Sequence, residues 1–115
     1  TYEASSLASG SDITIARIPI NATIHDVIIK ADALAGSSTM TVGDSGDVDR
    51  YLTAVGTWNV AGQSQSMLAG SSTGAPTPPV TGLGYRTTAE TDIIITTGGA
   101  TISNTIYSWV IYSVE

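Results

Sequence analysis

Thr23-Ile24-His25-Asp26-Val27-Ile28-Ile29-Lys30-Ala31-Asp32-Ala33-Leu34 is the stretch that decides the fold. In an extended chain Ile24 and Ile28 lie on one face, and Val27 and Ile29 on the other. A strand apolar on both faces is covered on both sides, as in a sandwich, a barrel or a subunit contact. Upstream, Ile13 and Ile15 alternate with Thr14 and Ala16 as far as Ile18-Pro19. Proline has no N–H for a ladder and marks a strand end or edge there, and Asn21-Ala22 supplies a turn. Downstream, Gly36-Ser37 predicts a hairpin into a half-buried strand, where Met40 and Val42 alternate with Thr39, Thr41 and Gly43.

The remainder is read in the same way. After an acidic turn at 43–49, Tyr51, Leu52 and Val55 anchor the chain as a helical turn or irregularly, and Trp58 and Val60 form a short strand. Residues 61–82 are Gly, Ser, Thr, Gln and Ala with prolines at 76, 78 and 79, a long exposed loop. Thr91–Thr96 is a strand, Gly98-Gly99 a turn, and Thr105–Val114 the last strand. That strand is again apolar on both faces, with Ile106, Val110, Tyr112 and Val114 opposite Tyr107, Trp109 and Ile111. Residues 1–11 carry no strong local preference and read as an extended N-terminal arm, left without order or ordered from outside its own domain. The chain is therefore divided into an arm at 1–11 and a single β domain at 12–115. Six to eight strands separated by turn signals predict an all-β antiparallel sandwich or jelly-roll-like domain, with an up-and-down barrel as the alternative.

Composition narrows the function. Charged residues are 12%, about half the roughly 25% usual in soluble domains. A surface of Ser, Thr, Gly and Ala suits close contact with neighbouring subunits, and a secreted β-domain has a similar surface. The net charge is −6 with four Lys or Arg, which lacks the basic footprint that nucleic acid or an anionic membrane requires. The absence of cysteine removes disulfides, thiolate catalysis and Cys-rich zinc sites. No run approaches the roughly 18 apolar residues of a membrane span, and the opening Thr-Tyr-Glu-Ala-Ser-Ser is not a signal peptide.

Few residues carry chemistry. His25 is the single histidine, and neighbours on a strand point to opposite faces, so Asp26 cannot orient it. No nucleophile motif is present, and no enzyme activity or cofactor is expected. Asp44, Asp47 and Asp49 are the single carboxylate cluster and weak candidates for a Ca²⁺ site, with a spacing that does not fit an EF-hand. The plainer reading makes Gly43, Asp44, Asp47, Asp49 and Arg50 a structural turn, in which the carboxylates bond their own backbone and Arg50 pairs with one of them. Trp58, beside the polar loop, is the best placed residue for stacking on a sugar.

Three stretches resemble small β-rich structural proteins of tailed bacteriophages. They are Ile18-Pro19-Ile20-Asn21-Ala22-Thr23-Ile24-His25-Asp26-Val27, the block Thr41-Val42-Gly43-Asp44 with Asp47, Asp49, Arg50, Tyr51 and Leu52, and Gly84–Ile93 leading through Gly98-Gly99 to the last strand. Asn104 stands where a glycine is expected. The resemblance implies a head decoration (cement) protein on the capsid exterior that binds the major capsid protein and bridges subunits, as a homo-oligomer with a trimer favoured. It makes Tyr2 and Leu7 of the arm, together with Trp58, candidates for capsid or subunit contact. The competing reading is a head-fibre or carbohydrate-binding module.

Overall fold

The computed structural model describes residues 1–34, 36–53, 58, 61–67, 70–71 and 84–114. Its strands are β1 (Tyr2–Leu7), β2 (Asp12–Ile18), β3 (Ala22–Ala31), β4 (Thr39–Asp44), β5 (Asp47–Leu52), β6 (Gln63–Ser66), β7 (Gly70–Ser71), β8 (Thr91–Gly98) and β9 (Ile102–Val114). They form a five-stranded sheet in the order β1-β9-β3-β6-β7 and a four-stranded sheet in the order β2-β8-β4-β5. The pairing is nested and antiparallel: β1 with β9, β2 with β8, β3 with β6, and β4 with β5. A long hairpin rolled so that its successive pairs fall in alternate sheets is a jelly roll. The β-sandwich expectation holds in its jelly-roll form, and two separate sheets replace the barrel alternative.

The two sheets close on one core. Ile24, Val27, Ile29, Ile102 and Ile106 from the first meet Ile18, Met40, Val42, Ile93 and Ile95 from the second, all buried. In β8 the alternation is regular, with Ile93, Ile95 and Thr97 inward. In β3 it is not. The β3–β9 register shifts between Ile24 and Asp26, so His25 is the extra residue of a β-bulge. The bulge puts Ile24 in phase with Val27 and Ile29, and all three enter the core while Ile28 stays half-buried on the outer face. A strict period of two assigns Ile24 to the wrong face.

Other expectations are corrected. β3 and β4 lie in different sheets, so they are not a hairpin; the connection through Gly36-Ser37 crosses the sandwich. The hairpin is β4–β5, closed by Ser45-Gly46 between the paired Asp44 and Asp47. Residues 1–11 are not a free arm: Tyr2–Leu7 pairs with β9 and buries Ala4. The start of the 61–82 loop is β6, with β7 beside it; residues 72–82 fall outside the described residues, as do Val55 and Val60. Asn104 takes the left-handed conformation with φ 95°, and its Nδ2 donates to the Ala33 carbonyl at 2.7 Å. Asparagine visits this conformation more readily than most residues, and the bond to Ala33 holds it there.

Candidate functional site

The β4–β5 hairpin concentrates the charged residues. Asp44 Oδ1 accepts from the backbone N–H groups of Gly46 and Asp47 at 3.0 and 3.1 Å, an Asx-type closure of the turn. Arg50, from β5, donates through Nε to Asp44 Oδ2 at 2.8 Å. Its guanidinium lies 4.1 Å from the centre of the Tyr85 ring, and Tyr85 meets Tyr51 edge-on at 6.3 Å. Burial works against the Arg50 charge, but the bond to Asp44 and the Asp44 charge prevail and raise its pKa. Gly43 permits the hairpin, since a Cβ there would overlap the Asp47 carbonyl and the Val48 backbone.

The three aspartates do not converge on a common point. Asp44 spends both oxygens on the turn and on Arg50. Asp47 accepts from the Asp49 N–H at 3.4 Å. The Asp49 carboxyl is held above its ordinary pKa, first by a hydrogen bond with Asp47 and then by slight burial and the Asp47 charge. Among the described residues no group of three or more His, Asp or Glu side chains is arranged to hold a metal ion. A shallow hollow of about 210 Å³ opens beside the hairpin, lined by Asp44, Arg50, Tyr85, Thr87 and Glu90 among others. Among the described residues its lining offers charge and hydroxyls.

His25 does meet a hydroxyl. Its Nε2 lies 2.8 Å from Ser113 Oγ across the β3–β9 ladder, on an exposed face. Asp26 is turned away and accepts from Ser66 Oγ at 3.0 Å. Among the described residues no carboxylate orients the imidazole, so the pair has no third member there of the kind that activates a serine.

Trp58 is 1% exposed and belongs to the core, which removes it as a sugar-stacking or capsid-contact residue. Its backbone is fixed at both ends, with N–H to the Ser38 carbonyl and C=O from the Leu34 N–H. Tyr2 and Leu7 pack their half-buried side chains against this chain's own core. Apart from Ile20 and Val48, the exposed large apolar side chains among the described residues gather on the second half of β9. Trp109 is 49% exposed, Ile111 51%, Tyr112 41% and Val114 54%. On the outer face Trp109 and Ile111 stand beside Ile28, and Lys30 reaches over the Tyr107 ring at 5.9 Å. Sequence patterning did find both faces of this strand apolar; it could not show which of the two faces the core.

No family model matches the chain, and no curated protein matches it. Its fold is similar to that of a chain in the cyanophage Pam1 capsid asymmetric unit. The TM-score is 0.67, the match covers 96% of this chain and 77% of that one, and the identity is 20%. At this identity the likeness establishes a shared fold.

Proposed function

We propose that this chain is a virion structural protein that decorates the exterior of a phage head and stabilises the assembled shell. The observation that carries the reading is the apolar outer face of β9 around Trp109 and Ile111, which the described residues of the chain leave uncovered. An apolar patch of this kind marks a contact that forms in an assembly. The fold shared with a capsid component supports the reading by analogy only, because one fold hosts many functions. The low charge content agrees with it.

Mechanistically, a protein that binds the assembled lattice and not the free subunits shifts the equilibrium toward the lattice. The Trp109–Ile111 face supplies apolar contact to the major capsid protein. The acidic hairpin, on the opposite sheet, is left toward solvent. Co-sedimentation with shells lacking this protein tests the proposal, with heat stability of the shells read in parallel. Saturable binding at a fixed ratio to the major capsid protein, with stabilised shells, is expected. A second reading, glycan recognition, loses Trp58 but retains exposed Trp109; binding to sugars in place of shells would favour it.

A further inference from the structure

We propose that the free edge of β9 pairs antiparallel with the same edge of a second copy, about a two-fold axis, joining two five-stranded sheets into one. The inference rests on the strand edge itself and stands independently of shell binding.

The direction of each backbone group in β3 fixes that of its partner in β9. The Val27 carbonyl accepts from the Met67 N–H, and the Ala31 carbonyl from the Gly62 N–H, so these residues point away from β9. The Ile24 N–H donates to the Tyr85 carbonyl and the Ala22 carbonyl accepts from the Thr87 N–H, again on the far side. Their cross-strand partners are Val110, Ile106, Tyr112 and Val114. In an antiparallel ladder both members of a non-bonded pair point outward. Ile106 meets Tyr2 of β1. Beyond that point Ser108, Val110, Tyr112 and Val114 direct their N–H and C=O groups to a side where no described strand lies.

Exposed edges are ordinarily protected by charge, proline or brevity. The other edges here follow that rule: β2 carries Asp12 and Arg17, β5 carries Asp47, Asp49 and Arg50, β1 carries Glu3, and β7 has two residues. The segment 107–114 has no charge and no proline and bears Trp109, Ile111, Tyr112 and Val114. Charge also selects the occupant. Copies of a chain with net charge −6 repel one another wherever charged edges meet. An edge-to-edge joint through 107–114 brings together, among the described strands, the long edge segment that carries no charge from either copy. The strand is self-complementary as well. With Ile111 opposite its own copy on the axis, Val110 bonds the second copy's Tyr112, and Ser108 its Val114, which satisfies all four residues. The joint closes a dimer rather than the trimer that the resemblance implies. It also doubles the outer apolar face by placing two Trp109–Ile111 patches side by side.

The test uses the full chain, without shells. Sedimentation velocity is expected to give twice the 11.8 kDa monomer mass. The chain has no cysteine, so Ile111→Cys supplies a single thiol that is expected to form an intermolecular disulfide on mild oxidation. Residues opposite one another in a non-bonded pair stand about 4.5 Å apart at Cα, within the range a disulfide spans. Val48→Cys, exposed on the other sheet, is the control and is expected to remain unlinked. Ile111→Lys sets two like charges on the axis and is expected to weaken the dimer by about tenfold or more, with an unchanged circular dichroism spectrum. A monomer at tens of micromolar with no 111–111 disulfide would overturn the inference. So would a trimer, or a dimer that Ile111→Lys leaves intact.

Discussion

Arg50 reaches back across the β4–β5 hairpin to Asp44, with 2.8 Å between Nε and Oδ2, at a site where their side chains are 17% and 6% exposed. The ion pair is therefore largely withdrawn from water, unlike Arg17–Glu90, whose side chains are 67% and 58% exposed. Removing one member of a buried pair leaves the other charge without compensation. Arg50→Ala is expected to cost about 3 kcal/mol by urea unfolding. Arg17→Ala is expected to change stability by less than about 0.5 kcal/mol. Arg50→Lys does not restore the loss, because lysine keeps the charge but neither the planar fork nor the stack on Tyr85.

Tyr51 predicts a pH response. Its hydroxyl is buried with no well-formed hydrogen bond among the described residues, and its pKa is raised above the ordinary tyrosine value, mainly by burial and next by the nearby Asp44 charge. The folded state therefore retains the phenol proton more tightly than the unfolded state does. The stabilisation is complete below the unfolded value near pH 10 and declines as pH rises toward the folded value, by about 1.4 kcal/mol per pH unit. Urea titrations between pH 8 and 11 are expected to show this decline. Tyr51→Phe is expected to flatten it and, near neutral pH, to be neutral or mildly stabilising.

Much of this arrangement is legible in the sequence, for physical reasons. β2, β4, β8 and β9 showed as alternations because each buries a single face or carries a clear apolar run. β1 did not show, since Tyr2-Glu3-Ala4-Ser5-Ser6-Leu7 buries one alanine and takes its order from β9. β5 did not show because Asp47, Asp49 and Arg50 look like loop residues until the ion pair with Asp44 is seen. The burial of Trp58 is not legible, because its polar neighbours in sequence say nothing of the Leu34 and Ser38 backbone that hold it. The bulge at His25 shifted the phase of β3, which periodicity alone cannot detect.

Trp58 and Gly43 separate packing from backbone effects. Trp58→Ala removes a side chain that is 1% exposed and is expected to cost about 3–5 kcal/mol. Gly43→Ala adds one methyl group against backbone that has no rotamer to change, and about 1–3 kcal/mol is expected. Both are read as shifts of the urea midpoint with the slope unchanged.

Deleting residues 1–7 tests whether the N-terminus belongs to the domain. The deletion strips β1 from β9 and exposes Ile102 and Ile106, both 1% exposed in the intact chain. A lower unfolding temperature is expected even in the absence of shells. An unchanged midpoint would return this segment to the role of a free arm.

The central claim is that the outer face of β9 seats the protein on a phage head, and the most direct measurement compares two proteins on the same shells. Wild type and Trp109→Ser/Ile111→Ser are titrated in co-sedimentation against heads lacking this protein, after matching circular dichroism spectra establish that both are folded. The account predicts saturable binding by the wild type and at least about a tenfold weaker association for the variant, since both side chains lose apolar contact. Failure of the wild type to bind, or equal binding by the two, would contradict it.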